Sequence, residues 1–556
     1  MFTHFEEKQR NVHYPSDRRM ALGLKTRVYI ILLVLFFITI GAAWIEYLFF
    51  GLPNDPSVSL LTVPETGPKG FPMWVILCHW ANFFLLFILL RSGLSILMDH
   101  PRLYWNNGCT PGSEWARFTP LKVPRDRLWT AKDDARYISP VIGLPGYRHT
   151  VGIARGWHFI HVPFFVLNGI VFVVLLLWGN QWQRIVPTSW QIIPDAWAVF
   201  VHYATFNMPA EPNGFYYFNA LQQVSYFGVV FVLAPLAIIS GMCMSPAIEN
   251  RFHWLPKLFI NRQGARSVHF LVMLSYFLFV IIHVSMVAYT GLIRNMNHIT
   301  LGTDNATDST GLYIGLAIIC FTIGFHIYAH WVSWNRPRWV QRNGSLINHR
   351  LWEATINKLK PVQYFDKKDI SPFFWPNGKL PVSDTWKNLA ANHFKEYKLK
   401  VGGAVENPVE LTLEEMKTMA SEENITMHHC IQGWSGIAQW KGLPIKNIVQ
   451  LVKPHASVTT VAFYSFGEGL YGGVYYDTHT LENCLKPGAL LAWEMNHEPL
   501  SEVYGAPLRL RIENQLGYKM VKWIERIEFV DSHKTVGKGF GGKNEDDEYF
   551  DLLAAT

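Results

Sequence analysis

Two histidines in one long apolar segment have the spacing of stacked metal ligands. His269 and His283 are 14 residues apart, which is close to four turns of an α-helix. Their side chains would share one face of the helix, about 21 Å apart along its axis. Imidazole is a common axial ligand of haem iron. This spacing predicts two haem groups, one near each surface of a membrane, and each haem then needs a second ligand from another helix.

Further histidines lie in the other apolar segments. They are His79, His158, His161, His326 and His330. An ionisable side chain inside a membrane span is costly, so a functional role is the first hypothesis. The alternative for any single one is a histidine that reaches the membrane surface or hydrogen-bonds to a neighbouring helix.

Six segments are long and apolar enough to span a membrane. They are residues 28–50, 73–97, 157–178, 222–244, 266–290 and 311–334. The loops on one side of these spans hold 23 Lys and Arg residues, and the loops on the other side hold 3. Because basic loops stay in the cytoplasm, the asymmetry predicts that both the N-terminus and the C-terminal part are cytoplasmic. A bacterial inner membrane is the natural setting.

The direction of each span predicts how the histidines pair. The span 266–290 runs outward, so His269 is near the inner surface and His283 near the outer one. His79 begins an inward span and is outer, whereas His158 begins an outward span and is inner. The predicted haem ligand pairs are therefore His79 with His283 and His158 with His269.

The same segments resemble a known superfamily. The matching stretches are Cys78–Trp80 with Arg91–Gly93, Arg155–Gly169, Asn219–Pro246 and Gly264–Gly291. They resemble the haem helices of the cytochrome b561 and formate-dehydrogenase gamma-subunit superfamily over roughly residues 73–300. The resemblance implies two b haems with the ligand pairs given above, and electron exchange with quinones. His161 is not in the family pattern, and we expect it to have a packing role.

One further span lies at each end of this four-helix core. The last span carries His326 and His330, which are four residues apart near the inner surface. They could bind a quinone or another haem. The alternative is hydrogen bonding between helices.

After Trp339 the chain becomes polar. We predict a cytoplasmic N-terminal tail, a transmembrane dihaem cytochrome b domain, a linker, an oxidoreductase domain and a flexible tail; their bounds are 1–27, 28–340, 341–370, 371–535 and 536–556. Alternating segments at 397–401, 458–463 and 508–512 indicate strands. The predicted fold is an all-α transmembrane bundle joined to an α+β domain with mostly antiparallel sheet.

Cys430 is the candidate catalytic residue of the polar half. The six cysteines have no zinc or iron–sulfur spacing, and a lone cysteine is usually a small buried apolar residue. However, the stretch His428–Pro444 resembles the catalytic loop of the sulfite oxidase superfamily, in the branch that includes bacterial methionine sulfoxide reductase catalytic subunits. The resemblance implies that the Cys430 thiolate binds the molybdenum of a molybdopterin cofactor, which suits a soft ligand.

Four other segments share this resemblance, which covers about residues 371–530. They are Ser371–Asp384, Leu399–Met416, Leu490–Ile512 and Gly517–Phe529. The resemblance implies cofactor-binding roles for Asn377, Ser465, Arg509, Lys519 and Lys522, because cations suit the phosphate of the pterin. For each cation alone, a solvated surface charge is the alternative. Tyr504 stands where relatives commonly carry His or Asn, so one pterin contact departs from the pattern.

The residues after the cysteine bear on the substrate. Ile431–Ser435 contains no arginine, whereas sulfite oxidases carry arginines there, so the loop resembles the sulfoxide-reductase branch. Tyr475, Tyr476, Asp477 and His479 could line the substrate pocket or belong to an ordinary loop.

The sequence as a whole predicts a membrane-bound enzyme. The net charge of +7 does not indicate a nucleic-acid partner, because the basic residues lie in short loops between spans. We predict an oxidoreductase in which quinone or quinol, two b haems and molybdenum on Cys430 exchange electrons, with reductive oxygen-atom transfer to a small sulfoxide or N-oxide. The alternatives are a dehydrogenase that works in the reverse direction and a redox relay or sensor without turnover. A homo-oligomer is possible on the sequence.

Overall fold

The computed structural model describes most of the 556-residue chain. The described residues are 20–61, 70–118, 130–138, 142–143, 150–356, 359, 362–363, 365–552, 554 and 556, with side chains from residue 30 and except at 348. Most of the predicted N-terminal tail, residues 1–27, lies outside them.

Six helices of the described chain are long and apolar enough to cross a membrane. They are α1 (Met20–Phe50), α2 (Met73–Leu97), α3 (Val151–Trp178), α5 (Ala220–Cys243), α6 (Arg262–Tyr289) and α8 (Thr310–Asn335). Two shorter helices, α4 (Ile192–Ala204) and α7 (Leu292–Thr300), lie between them at the predicted outer side. The prediction of six spans is confirmed, and α3 begins six residues earlier than 157. The chain is a multi-pass membrane protein.

Polar contacts inside the bundle join α3 to two other spans. The Asn168 side chain donates to the carbonyl oxygen of Cys78 at 3.1 Å, which links α3 to α2. The Trp157 indole donates to Ser333 Oγ at 2.7 Å, which links α3 to α8. Because hydrocarbon offers no alternative partners, each of these bonds favours one packing of the helices.

The start of α6 is defined by local chemistry. Asn261 caps the helix, and its side-chain oxygen accepts from the main-chain N–H groups of Gln263 and Gly264. A Cβ on Gly264 would lie 1.9 Å from the carbonyl oxygen of Phe259, so only glycine fits there. These constraints set the depth at which His269 lies on the helix.

The segment predicted as a linker begins with a helix. Helix α9 (Pro337–Thr355) follows α8 directly and packs along α3, where a Cβ on Gly344 would lie 2.9 Å from the Cα of Gly156. Paired glycines let two helix backbones approach closely. The predicted boundary between the membrane domain and the linker, at residue 341, therefore falls inside helix α9, which packs on the membrane part.

Two five-stranded sheets form the C-terminal domain. The first sheet has the order β10-β9-β6-β5, with β11 paired to β9, and the second has the order β4-β3-β12-β7-β8. The strands are β3 (Lys398–Gly403), β4 (Val409–Thr412), β5 (Glu422–His429), β6 (Ser435–Pro444), β7 (Thr460–Glu468), β8 (Val474–Thr480), β9 (Leu490–Met495), β10 (Glu498–Pro499), β11 (Arg509–Arg511) and β12 (Ile524–Val530); two short strands, β1 (Arg102–Leu103) and β2 (Ala116–Arg117), belong to the loop after α2.

Short helices complete the domain. They are α10 (Asp384–Ala391), α11 (Leu413–Thr418), α12 (Ile445–Val452) and α13 (Lys543–Asp547). All strand pairs are antiparallel except β12 with β3. The predicted α+β fold with mostly antiparallel sheet is confirmed.

The C-terminal segment packs on the domain, where the sequence predicted a flexible tail. Helix α13 buries Glu545 and Asp546, and Phe550 is 5% exposed. The Gln341 side chain of α9 donates to the carbonyl oxygen of Glu545 at 3.1 Å. The acidic run indicated a solvated tail, but its charges have buried partners that lie far away in the sequence, so its composition was misleading.

Candidate functional site

His79 and His283 face each other near the predicted outer ends of α2 and α6. Their ring centroids are 6.4 Å apart. Two metal–nitrogen bonds of about 2 Å plus the ring radii require a separation of this size when one iron lies between two imidazoles. The His283 ring also stacks on Phe279 at 5.3 Å. The geometry suits a haem held by this pair.

His158 and His269 form the second pair, near the other ends of the same bundle. They are close enough to interact electrostatically. Each ring has its Nδ1 beside a serine hydroxyl of a neighbouring helix, Ser92 at 2.9 Å for His158 and Ser240 at 3.0 Å for His269. Such partners orient the ring and leave Nε2 for a metal. The structure therefore brings together both pairs that were predicted from depth and spacing.

Cys430 lies in the tight turn between β5 and β6. Its main-chain N–H donates to the carbonyl oxygen of Trp434 at 3.0 Å, and its carbonyl oxygen accepts from the N–H of Gly433 at 3.0 Å. Gly433 has a φ of +103°, a conformation that favours glycine. The turn projects the thiol into a closed space, where Cys430 is 4% exposed.

The surroundings of the thiol favour its protonated form until a cation binds. Burial raises the pKa of Cys430 to about 12, against the opposing effects of the Gln432 hydrogen bond and the Arg262 charge. The thiol donates to Gln432 Oε1 at 3.7 Å. A metal ion beside the sulfur would supply the missing positive charge and stabilise the thiolate.

The membrane part closes the space around Cys430. Four charged side chains from the loop after α2 and from the first turns of α3 and α6 interact electrostatically with the thiol; they are Asp99, Lys132, Arg155 and Arg262. The Gln432 side chain donates to the carbonyl oxygen of Asp99 at 3.1 Å. The candidate site thus lies at the boundary between the two domains.

Helix α6 connects this site to the inner histidine pair. The Gln263 side chain donates to the carbonyl oxygen of Gly433 at 2.9 Å and to Ser435 Oγ at 3.1 Å. His269 follows Gln263 by six residues, which is about 9 Å along the helix axis. Arg155 precedes His158 by less than one helical turn. Both inner histidines are therefore carried by helices that also contact the Cys430 site.

A cluster of cations lies beside His428, which precedes Cys430 by two residues in the sequence. Arg511 Nη1 is 3.0 Å from His428 Nδ1, and Arg509 and Arg511 both lie over the ring of Trp440. A Cβ added to Gly505 would touch the side chains of both Lys522 and Arg509, which shows that these two side chains lie next to each other. Burial and the neighbouring charge of Arg511 lower the pKa of Arg509, and burial and the charge of Arg509 lower that of Lys522.

This cationic cluster (Arg509, Arg511 and Lys522) fits an anionic group. Glu513 pairs with Arg511, and the mutual repulsion of the cations would be relieved by a phosphate. Several buried nitrogens nearby have no hydrogen-bond partner among the described residues; they are Arg509 Nε, Trp440 Nε1 and both ring nitrogens of His429. A thiol, a set of cations and unpaired polar groups match the needs of a molybdopterin.

The structure gathers four of the five predicted pterin residues. Lys522 Nζ donates to the carbonyl oxygen of Asn377, and Ser465 Oγ donates to the carbonyl oxygen of Lys522 at 2.7 Å. Arg509 lies beside Lys522, as described above. Asn377 is exposed, so its side chain is the least enclosed of the set.

Lys519 is placed differently. Its ammonium group pairs with Asp477 and Glu545, and all three side chains are buried. The bonds of Lys519 therefore hold the C-terminal segment against β8, and none of them reaches the cationic cluster.

The other candidate pocket residues also serve this packing. Tyr475 Oη donates to the carbonyl oxygen of Tyr518 at 2.6 Å, Tyr476 Oη donates to Asp546, and His479 Nε2 lies 2.7 Å from the Lys519 carbonyl oxygen. Tyr504, the position that departs from the family pattern, donates to the carbonyl oxygen of Phe374 at 2.7 Å.

Sequence reasoning missed the residues that reach the site from outside the C-terminal domain. In the sequence, Arg262 and Lys132 serve only as topology signals, Arg155 serves as a topology signal and as the first residue of a haem-helix motif, and Asp99 has no assigned role. One signal was present, since Arg155 and His158 belong to one motif less than a turn apart on a helix. The contact of the Asp99 loop with Gln432 had no local signal.

Comparison with known proteins gives two family matches. Residues 70–300 match the family described as prokaryotic cytochrome b561, and residues 387–536 match the oxidoreductase molybdopterin binding domain. Helix α8 and the C-terminal segment lie outside both matched regions.

Similar proteins carry related names. The subunit YedZ1 of Azospira oryzae, whose name refers to a protein-methionine-sulfoxide reductase, is 29% identical over 198 residues, which is 36% of this chain and 69% of that protein. The protein-methionine-sulfoxide reductase catalytic subunit MsrP of Xanthomonas axonopodis pv. citri is 33% identical over 145 residues, 24% of this chain and 45% of that protein. The chain thus spans about half the length of such catalytic relatives.

Among solved structures, the sulfane dehydrogenase SoxCD from Paracoccus pantotrophus matches 25% of this chain and 40% of that chain at 18% identity, with a TM-score of 0.23, which is too low to bear on the fold.

The chain joins a membrane cytochrome b561 region to an oxidoreductase molybdopterin binding domain. It is a membrane-bound oxidoreductase whose cofactors are haem b and molybdenum-molybdopterin, as the sequence predicted.

Proposed function

We propose that the protein takes electrons from quinol, carries them through two b haems, and uses them at a molybdenum centre on Cys430 to reduce a small sulfoxide or N-oxide. The observation that carries this proposal is the contact of Gln263 with the Cys430 turn. It joins the helix of an inner haem ligand to the candidate catalytic loop within one polypeptide.

Each part of the chain has a stated role in this proposal. His79 with His283 and His158 with His269 hold the two haems, and Cys430 supplies the molybdenum ligand. Haem iron accepts and passes single electrons, and the molybdenum group, when bound, supplies two-electron oxygen-atom exchange. Arg509 and Lys522 hold the anionic end of the pterin, and the closed packing around Cys430 limits the access of water.

Two observations support the sulfoxide class of substrate. The turn Ile431–Ser435 carries no arginine, whereas sulfite oxidases carry arginines there; the arginines that approach the thiol, Arg155 and Arg262, come from the membrane part. The relatives are named as subunits of protein-methionine-sulfoxide reductases, one of them catalytic. A sulfoxide has a polar S=O group without net charge, so Gln432 and the main chain of the turn can hold it.

The membrane orientation is part of the proposal. The loops that contact the C-terminal domain belong to the basic set, which the positive-inside rule assigns to the cytoplasm. The C-terminal domain would then be cytoplasmic in an inner membrane. Labelling of single-cysteine variants with a membrane-impermeant thiol reagent in intact cells tests this, because labelling of the exposed residue 384 in an Asp384→Cys variant would contradict a cytoplasmic domain.

The first test is the cofactor content and activity of the detergent-purified protein. We expect two b haems by a pyridine haemochrome assay and one molybdenum by elemental analysis. Reduced methyl viologen should support reduction of methyl-aryl sulfoxides by the wild type. The Cys430→Ser variant should keep its haem and lose this activity.

The same experiment separates the alternatives. A wild type with two haems and no molybdenum, under molybdenum-replete expression, would support a relay or sensor. Quinone reduction driven by an oxidisable substrate, without sulfoxide turnover, would support the dehydrogenase direction.

A further inference from the structure

Helix α8 carries two histidines that the proposed electron route does not use. Arg91 of α2 donates from Nη1 to the His326 carbonyl oxygen at 3.0 Å, and the same nitrogen is 3.3 Å from His326 Nδ1. His326 Nε2 and His330 Nδ1 are shielded and have no hydrogen-bond partner among the described residues. Unpaired polar atoms within a membrane are unfavourable, so a ligand that pairs with them would be bound.

The hydrogen-bond pattern gives the two histidines different roles. A guanidinium group only donates, so Nδ1 of His326 is an acceptor and its Nε2 carries the hydrogen of the neutral ring. His326 Nε2 can therefore donate to an oxygen atom of a ligand. His330 is one turn further along the same face of α8, and its free Nδ1 can accept a proton.

A third haem with both of these histidines as its axial ligands does not fit. Two axial ligands must face each other across the iron, as His79 and His283 do with ring centroids 6.4 Å apart. Residues four apart on one helix share a face and point the same way. The positive charge of Arg91 beside His326 also disfavours an iron cation.

The surroundings suit a flat apolar ring that enters from the lipid. Phe325 lies 4.7 Å from Phe84 and 5.9 Å from His161 between ring centroids, which forms an aromatic wall next to His326. On the other side, Ile327 and Tyr328 are 67% and 53% exposed and face the hydrocarbon. A ligand with an aromatic-sized ring, polar oxygens and a lipid tail matches this arrangement.

The position is adjacent to the inner haem pair. Arg91, which contacts His326, is followed directly by Ser92, and Ser92 Oγ is 2.9 Å from Nδ1 of His158. Two consecutive residues of α2 therefore connect the candidate ligand position to a haem ligand.

We propose that His326 and His330, with Arg91, form the quinol-oxidation site, on the helix added to the cytochrome b561 core. This inference rests on the proposed function for the fate of the electrons. His326 Nε2 donates to a ring oxygen of the quinol, and His330 Nδ1 accepts the hydroxyl protons one at a time and releases each to water beyond Asn335, where α8 ends.

The overall step is balanced. Two O–H bonds of the quinol break, a quinone forms, and two electrons leave in turn through the site of His158 and His269. The oxidant is the sulfoxide at the molybdenum site, which gains the two electrons and two protons and yields a sulfide and water.

The test compares two electron donors on one preparation of the holoenzyme. Decylubiquinol and a short-chain menaquinol report on the quinol site, whereas reduced methyl viologen bypasses it. The variants are His326→Leu, His326→Gln, which keeps an N–H donor, and His330→Gln, which cannot accept a proton. His349→Gln on α9 is the matched control, because the ion pair of His349 among the described residues is with Glu353 on the same helix.

The expected results divide between binding and turnover. We expect His326→Leu to raise the KM for quinol about tenfold, equivalent to the loss of one hydrogen bond. The KM of His326→Gln should lie close to that of the wild type. We expect His330→Gln to lower kcat about a hundredfold, as for loss of a general base. The sulfoxide rate with viologen and the haem content should equal those of the wild type in every variant.

The possible failures are distinguishable. Quinol kinetics in all three variants equal to those of His349→Gln would overturn the assignment of the quinol site and leave the proposed function intact. A wild type that uses viologen but neither quinol would overturn both the site assignment and the quinol donor of the proposed function, and would leave only the sulfoxide reduction. A wild type that reduces no sulfoxide with viologen overturns the proposed function itself.

Discussion

The side-chain amide of Gln263 donates to the carbonyl oxygen of Gly433 at 2.9 Å. Gln263 is in the first turn of the helix that carries His269, and Gly433 belongs to the turn that presents Cys430. This hydrogen bond helps to link the helix that carries a proposed haem ligand to the turn that presents the proposed catalytic thiol. The relative position of the two domains is therefore part of the candidate electron route.

Removing this link should slow electron transfer between the domains. In Gln263→Met, the Gly433 oxygen and Ser435 lose a buried partner, which costs about 1–3 kcal/mol and loosens the contact. We expect reoxidation of pre-reduced haem by a sulfoxide, followed by stopped-flow absorbance, to slow about tenfold. The control is Gln191→Met, which removes an exposed bond to Asp195 on the predicted outer side. An unchanged rate in Gln263→Met would show that the contact does not limit transfer.

The serine contacts of the inner histidines should tune one haem and not the other. Ser92 and Ser240 lie beside Nδ1 of His158 and His269, whereas Nδ1 of His79 has no partner among the described residues. Because such partners change the basicity of a ligating imidazole, Ser240→Ala should shift the midpoint potential of one of two haems in a redox titration. Ser275→Ala, at an exposed serine of α6, the helix that carries His269, should shift neither. Equal shifts of both haems would contradict the assignment of the pairs.

Lys522 should reduce the stability of the cofactor-free protein while it is needed for the cofactor. Its pKa is lowered by burial and by Arg509, so below about pH 10 the unfolded chain binds more protons at this position than the folded chain. Lys522 therefore destabilises the folded chain more as the pH falls, and this destabilisation disappears above the pKa of free lysine. Lys522→Met should raise the melting temperature of protein from molybdopterin-deficient cells and weaken its dependence on pH.

The same variant should lose cofactor when molybdopterin is available. We expect a lower ratio of molybdenum to haem in Lys522→Met, whereas Lys398→Met, on the exposed side of β3, should retain it. A variant with full molybdenum content would remove Lys522 from the pterin site.

Lys519 should matter for stability and not for cofactor binding. Its removal leaves Asp477 and Glu545 as unpaired buried carboxylates, and such a loss costs about 3–5 kcal/mol. Lys519→Met should lower the denaturation midpoint of the C-terminal domain. The double variant Lys519→Met/Asp477→Asn should recover part of the loss, because one of the two unpaired charges is gone. Protein that remains folded should contain molybdenum and haem in the wild-type ratio; a selective loss of molybdenum would restore Lys519 to the pterin site.

The sequence by itself determined the elements and most of the chemistry. Hydrophobic runs predict spans because the hydrocarbon thickness sets their length. Helix periodicity alone shows that His269 and His283, 14 residues apart, share one face of a helix. The pairing with His79 and His158 required only span direction. Cys430 depended on the resemblance of the residues around it, since a lone cysteine has no signal of its own.

Only the tertiary structure decided which distant groups meet. Arg155, Arg262 and Asp99 reach the Cys430 turn from loops and helix ends more than 160 residues away in the chain, and no local periodicity records such contacts. Lys519 and Lys522 are three residues apart with similar local signals. Yet the fold pairs the first with buried carboxylates and the second with cations. The role of a charge depends on the charges that folding brings next to it, and those neighbours are set by long-range packing.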